Sequence, residues 1–279
     1  MKGNLYIVAT PIGNLKDITI RALEILKKSD YILAESSART SKLLNEYNIK
    51  KKIITFNKDN EKRKKNSIIK NLCEGLEISL VSDAGTPSIS DPGFELIKNN
   101  QGRFHVIPIP GPSSLTSALS VSEIPINNFV FLGFLSKKIG ELKQQIISLK
   151  NTGKPGVIFE SKYRVIRVIK EIIRIMGGDT KIGVFREITK LHEEIFFDSA
   201  DKVLLSLQNN VVSGEITLII GTPIKTTNNP DELREQVLKL LQNYTQKETV
   251  DILMLFTDIN KKDLYNAIEQ NSPLKDKDT

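Results

Sequence analysis

A chain of 279 residues, with 39% apolar and 26% charged side chains, is long enough for two modest domains and has the balance of an ordinary globular protein. No apolar run approaches the ~20 residues of a membrane span, and Met1-Lys2-Gly3-Asn4 leads at once into a predicted strand, so no membrane association and no signal peptide are expected. One cysteine (Cys73) and two histidines (His105, His192) exclude an intramolecular disulfide, fit a reducing cytoplasm and offer no metal-ligand spacing.

The net charge of +7 is unevenly spread. Residues 50–70 hold nine Lys or Arg against two acids, and residues 137–174 hold ten against three, so each segment is +7 and the remainder is −7. Two basic stretches on an otherwise acidic chain match the footprint of a polyanion partner. Solvated helix faces are the alternative.

In chain order, apolar runs at 4–9, 31–34, 53–56, 78–82 and 104–109 read as strands, with helical patterns between them. Residues 18–28 read as a helix closing on Lys27 and Lys28, where cations suit the helix dipole. This βαβα rhythm predicts a parallel sheet with right-handed crossovers over residues 1–121. Residues 122–225 read differently, with strands at 129–134, 157–160, 182–187, 194–197 and 215–220 and helices at 137–150, 163–175 and 201–208. Short connections there permit antiparallel pairing, so the second α/β domain is expected to hold a mixed sheet. Residues 222–229 read as a linker, and 226–279 as a small helical appendage with helices at 231–243, 246–257 and 260–270. Cys73 is expected in the core beside Ile69 and Leu72.

Three loops share one make-up. Thr10-Pro11-Ile12-Gly13-Asn14-Leu15 follows the first strand, Ser82 to Gly93 follows the fourth, and Pro110-Gly111-Pro112-Ser113-Ser114 follows the fifth. Each is too rich in Pro, Gly, Asp and Ser for helix or central strand. If the strands are parallel, all three crowd one sheet edge, where open α/β sheets place ligands. None is a phosphate loop, since neither GxxxxGK[ST] nor GxGxxG occurs. The residues themselves therefore point to a ligand at three strand ends and a polyanion partner.

The stretches LYIVATPIGNLKDIT, AESSARTSKLL, LVSDAGTPSISDPG and VIPIPGPSSLTSAL, in this order, resemble the tetrapyrrole-methylase-like (class III) S-adenosylmethionine methyltransferases. With FLGFLSKK, FESKYRV, FREITKLHEEIF and GEITLII, the chain is more narrowly similar to members that methylate the ribose 2′-hydroxyl of a cytidine in the decoding region of 16S rRNA. The resemblance spans residues 4 to about 221 and, more loosely, KKDLYNAIEQ in the tail. It implies two α/β domains with the donor in the cleft between them, S-adenosylmethionine as cofactor, 16S rRNA or the small ribosomal subunit as partner, and a homodimer. Where the family carries Glu-Asp-Thr-Arg, this chain has Glu35-Ser36-Ser37-Ala38-Arg39, so a shifted loop must deliver Arg39.

By resemblance, the donor site is expected to comprise Pro11, Ile12 and Gly13, then Asp83, Ala84, Gly85 and Pro87, then Gly111, Pro112 and Ser113. Asp83 meets donor hydroxyls or amine, or else caps a turn; the glycines supply positive φ for the turns. Methyl transfer to a hydroxyl needs alignment and a base or cation as charge develops on oxygen, but no metal. Lys190 is the candidate cation, and Glu187 or Glu35 the proton acceptor. The candidate RNA contacts are Arg39, Lys62, Arg63, Lys64, Lys137, Lys138, Arg164 and Arg186. With aromatics at 6%, no stacking platform for bases is evident. Two rivals are a methyltransferase acting on a small tetrapyrrole and a non-catalytic RNA-binding ribosome-assembly factor.

Overall fold

The computed structural model describes residues 2–98, 100–209, 214–222, 237–256 and 261–271. Residues 223–236, which include most of the expected linker and the start of the first tail helix, lie outside the described residues. The chain divides into two compact units, Met1–Pro223 and Ile224–Thr279.

The first sheet is built from β1 (Asn4–Val8), β2 (Tyr31–Ala34), β3 (Lys52–Thr55), β4 (Glu77–Val81) and β5 (His105–Ile109), in the order β3-β2-β4-β1-β5. Every pairing in it is parallel. These strands are apolar without alternation because helices cover both faces. Leu5 and Ile7 point to one face, against Ile68, Ile69 and Leu72 of α3 (Glu61–Cys73) and Leu96 of α4 (Phe94–Lys98). Tyr6 and Val8 point to the other, against Ala22 and Leu26 of α1 (Ile20–Lys28) and Leu43 and Leu44 of α2 (Ser37–Glu46). Each fully buried Leu or Ile contributes ~1.5–3 kcal/mol of transfer free energy. The start of α1 is set by Thr19, whose hydroxyl accepts from the Ala22 N–H at 3.1 Å. Cys73 departs from expectation: it is exposed, because it follows buried Leu72 by one residue and is carried about 100° round the helix, off the apolar stripe.

After α5 (Ser114–Ser120), the second sheet contains β6 (Val130–Phe134), β7 (Gly156–Ser161), β8 (Lys181–Arg186), β9 (Glu194–Ser199) and β10 (Glu215–Ile220). Its order is β6-β7-β10-β8-β9, with β6 and β7 parallel and the remaining pairs antiparallel, the mixed sheet that short connections require. One face packs on α6 (Ile139–Thr152), α7 (Val165–Met176) and α8 (Ala200–Asn209). The other packs on Ala118 and Leu119 of α5 through Val157, Phe185 and Ile219. Helix α5 thus leaves the parallel sheet and lies under the mixed one, which brings the two sheets' strand ends together. The second unit has its own core of Val237, Val250, Leu253, Leu264 and Ile268, from helices Gln246–Phe256 and Lys261–Asn271 and the turn of helix before them. Among the described residues, no helix is long and apolar enough to cross a membrane.

Candidate active site

Parallel strands deliver the three loops to one edge, and main-chain bonds lock them there. Thr10 and Gly85 exchange both backbone bonds at 2.9 Å, joining the loop after β1 to the loop after β4. Gly85 sits at φ +76°, a conformation that L side chains rarely adopt, so this turn requires glycine. Gly13 and Gly111 do not use positive φ; at Gly13 the reason is close approach. A Cβ there would lie 2.4 Å from Lys190 Cγ, 2.7 Å from Thr189 Oγ1 and 2.9 Å from the Ile188 carbonyl oxygen.

Asp83 takes the capping role. Its Oδ1 accepts from the Ser36 N–H at 3.0 Å and its Oδ2 lies 3.4 Å from Arg39, tying the loop after β4 to the start of α2. Arg39 is therefore delivered to the site despite the shifted motif, because α2 begins at Ser37 and turns its first residues toward Asp83.

The mixed sheet contributes the β8–β9 loop, residues 187–193, which docks on the first loop through a bond from the Asn14 N–H to Thr189 Oγ1 at 3.0 Å. Glu187 and Thr189 hold φ of +52° and +67°, and Ser88 and Ser90 in the loop after β4 hold +70° and +69°. Such strain persists only where the surroundings impose it. Lys190 Nζ lies 2.8 Å from Glu187 Oε1 and 3.0 Å from Glu215 Oε2. Burial opposes charge on Lys190 and Glu187, yet their mutual pairing prevails: the Lys190 ammonium is raised above its ordinary value and the Glu187 carboxyl lowered below its own. Both are charged near neutrality. Lys190 is a fixed cation, and Glu187 is held as its carboxylate partner.

Two cavities open here. The larger, about 720 Å³, is lined by six carboxylates (Glu35, Asp83, Asp91, Glu160, Glu187, Glu215) against three cations, Arg39, Lys162 and Lys190. The smaller, about 260 Å³, reverses the balance, with Arg39, Lys42 and Lys190 against Asp83 and Glu215. Ile12, Arg39, Asp83, Ala84, Lys190 and Glu215 line both and mark where they meet.

Of the residues expected for the donor, Ile12, Asp83, Ala84, Gly85 and Ser113 line the larger cavity, while Pro11 and Gly13 line the smaller. Pro87, Gly111 and Pro112 are in neither lining and act on loop shape; a Cβ on Gly111 would come within 3.1 Å of the Ala9 Cβ. Glu35, Glu187 and Lys190 meet in the larger cavity. The expected RNA contacts disperse. Lys62, Arg63 and Lys137 are exposed, and Lys138 is also exposed but paired with Glu141 at 3.0 Å. Lys64 donates to the Thr55 carbonyl at 2.6 Å, Arg186 pairs with Glu194 at 2.7 Å, and Arg164 donates to the Leu135 and Ser136 carbonyls at 2.9 Å.

Sequence reasoning passed over Asp91 and Phe134, whereas Glu160 and Tyr163 stand, with Ser161 and Arg164, in a polar cluster after a strand that reads as suited to RNA or donor contact. Asp91, in the same loop as Asp83, has its carboxyl pushed up to about 6 by burial and then by the charge of Glu35, against the Ser82 hydroxyl and Lys58. The second Asp of LVSDAGTPSISDPG was the available signal. Glu160 is 2% exposed, and its Oε2 makes no hydrogen bond, only a 3.4 Å approach to Arg164. An aromatic lip also lines the larger cavity: Phe134, 56% exposed, meets Phe159 edge to face at 5.7 Å, and Tyr163 lies 5.0 Å from Lys162 Nζ. A bulge between Phe131 and Gly133 turns Phe134 outward, so a low aromatic content still yields local rings.

A parallel sheet and a mixed sheet meeting at such a cavity define the tetrapyrrole methylase fold, and the family model for Tetrapyrrole (Corrin/Porphyrin) Methylases matches residues 4–204. The uroporphyrin-III-C-methyltransferase from Thermus thermophilus superposes with a TM-score of 0.55 at 15% identity, covering 80% of this chain and 96% of that one. A cobalt precorrin-4 methyltransferase gives 0.54 at 15%, covering 78% and 94%; at this identity the likeness establishes the fold. Relatives named ribosomal RNA small subunit methyltransferase I carry the closer likeness. The one from Thermotoga maritima is 43% identical over 78% of this chain and 98% of its own, and the one from Buchnera aphidicola of Schizaphis graminum is 40% identical over 96% of each. That from Rickettsia prowazekii is 34% identical over 97% and 98%. The chain belongs to the ribosomal RNA small subunit methyltransferase I family, a branch of the tetrapyrrole methylases.

Proposed function

We propose that this enzyme transfers a methyl group from S-adenosylmethionine to the ribose 2′-hydroxyl of a cytidine in the decoding region of 16S rRNA, with the donor in the larger cavity and the target nucleotide entering through the smaller. The carrying observation is the reversal of charge between two cavities that meet at Lys190. An acidic cavity suits a cationic donor and repels phosphate; a basic one suits a nucleotide. S-Adenosylmethionine supplies a methyl group already activated on a sulfonium. The donor's fit is supported by the excess of carboxylates and by a volume within the range of ligand pockets.

The chain's own residues then have distinct tasks. Gly85 and Ala84 bring backbone close to the donor, and Asp83 fixes the wall between the cavities through Ser36 and Arg39. Lys190, held by Glu187 and Glu215, places a permanent positive charge where an attacking oxygen gains negative charge. Exposed Lys62, Arg63 and Lys137 supply sequence-independent grip on rRNA phosphates. The reading places the enzyme in the cytoplasm with its substrate and carries the homodimer as its assembly.

The test is methyl transfer from labelled donor to small ribosomal subunits from a strain lacking the gene, with the product mapped by nuclease digestion and mass spectrometry. A ribose-methylated cytidine in the decoding region is expected. Donor binding with no label in RNA would overturn the assignment in favour of a small-molecule acceptor.

A further inference from the structure

We propose that Glu35 and Asp91 form an acid pair that seats the positive charge of the methyl donor and thereby separates the donor from its spent product. The inference rests on the donor site proposed above. Each of the other carboxylates of the larger cavity lies beside a cation: Asp83 by Arg39 and Glu160 by Arg164, each at 3.4 Å, and Glu187 and Glu215 by Lys190 at 2.8 and 3.0 Å. Among the described residues, neither Glu35 nor Asp91 forms an ion pair.

The groups around Asp91 explain the consequence. Glu35 faces it from the end of β2, Asp83 and the Ser82 hydroxyl from its own loop, and Lys58 from the segment before α3. Glu61, at the start of α3, accepts from the Gly93 N–H at 3.2 Å and holds the loop's far end. One lysine does not offset burial and two neighbouring carboxylates, so the Asp91 carboxyl is pushed up to about 6. A cation placed between the two acids removes both the repulsion and the reason for the shift. Glu160 keeps acceptor capacity in the same lining beyond the 3.4 Å approach of Arg164. It is buried to 2% exposure in the lining, with an Oε2 that no hydrogen bond satisfies.

The chemistry of the reaction fits such a seat. Carbon–sulfur cleavage leaves the electron pair on sulfur, the oxygen–carbon bond forms, and the hydroxyl proton is released. The donor carries a sulfonium charge that the product thioether lacks. With the cation present the ionised form of Asp91 is favoured, and with a neutral sulfur the repulsion from Glu35 returns uncompensated. A neutral product in an over-acidic cavity is bound more weakly than the donor, which favours exchange.

The experiment is calorimetric binding of S-adenosylmethionine and of S-adenosylhomocysteine to the full chain without RNA, between pH 5 and 8, in buffers of different ionisation enthalpy. Donor affinity is expected to rise about fivefold from pH 5 to 6, with proton release, while product affinity stays nearly flat. Asp91→Asn and Glu35→Gln should each narrow the donor-to-product preference by about tenfold, with product affinity retained. Parallel pH curves for the two ligands, or an unchanged preference in both variants, would overturn the acid pair alone. Loss of product binding in both variants would make the pair structural and overturn it too. Failure of either ligand to bind at any pH would overturn the donor site itself.

Discussion

The parallel and mixed sheets contribute to one site by different means. The parallel sheet contributes main chain: the Thr10–Gly85 backbone pair, the positive φ of Gly85, and the Asp83 carboxylate anchoring the Ser36 N–H. The mixed sheet contributes charged side chains on strained loops, foremost Lys190 between Glu187 and Glu215. Parallel strands all end at the same edge, so their loops converge without further instruction. An antiparallel hairpin loop reaches the site only if its whole sheet is in register. Here that register is set by β8 against β10, with the Glu187 N–H bonded to the Glu215 carbonyl at 3.0 Å. On the proposed function, donor binding would fall to the first sheet and charge compensation at the acceptor to the second.

The sharpest way to break this division is at Lys190. Lys190→Ala should lower the single-turnover rate by ~10²–10³, the range for losing one preorganised electrostatic stabiliser, while donor affinity changes little. A donor affinity that fell with the rate would show that the two sheets do not divide the work. Next in size is Gly13, where the sheets touch. The Lys190 stem can move away from a new Cβ, but the Ile188 carbonyl 2.9 Å away cannot do so cheaply. Gly13→Ala should therefore displace the β8–β9 loop and reduce the rate by ~10–100-fold, with little change in Tm. Gly140→Ala, where nothing lies within 4 Å of the added Cβ, is the control and should leave the rate unaltered.

The basic segments offer a milder test. Lys62→Gln with Arg63→Gln should reduce the slope of log affinity for ribosomal subunits against log salt by about two, one for each phosphate no longer neutralised. Lys64→Gln should leave the slope alone and lower stability instead, because the Lys64 ammonium holds the Thr55 carbonyl at 2.6 Å. Equal slopes for all three substitutions would remove the basis for separating grip from scaffold along one helix.

What could be read in advance follows the same division. Strands such as 31–34 and 215–220 carry their own apolar signal and were legible to the residue. Pro, Gly and Asp in the strand-end loops likewise announced the edge at which the cavities open. Roles that depend on tertiary pairing were not legible. Arg164 looks like an RNA contact in a basic segment, yet it reaches 28 and 29 residues back to the Ser136 and Leu135 carbonyls. Cys73 follows an apolar helical pattern, but the stripe ends one residue earlier. Asp91 has an ordinary sequence setting; its perturbation needs Glu35, brought near by a parallel pairing of β2 with β4.

The smallest expected effect lies at the opposite edge of the parallel sheet, and it tests whether function and stability occupy separate ends of the strands. At the start of β4, Glu77 accepts from Tyr6 and Asn4 and pairs with Lys28 at 3.1 Å. Burial opposes its charge, but these partners prevail and the carboxyl is lowered in the folded chain. A depressed folded value means that this contribution is fully present above the unfolded carboxylate value of ~4.3 and is lost as pH falls through the folded one. Glu77→Gln should therefore flatten the acid limb of stability below about pH 4.5, read from urea midpoints between pH 3 and 7, and leave methyl transfer at neutral pH unchanged. An unaltered acid limb would remove Glu77 as its source. A fall in methyl transfer without a fall in stability would mean that the two ends of the sheet are coupled, and that the division drawn between the sheets extends along the strands as well.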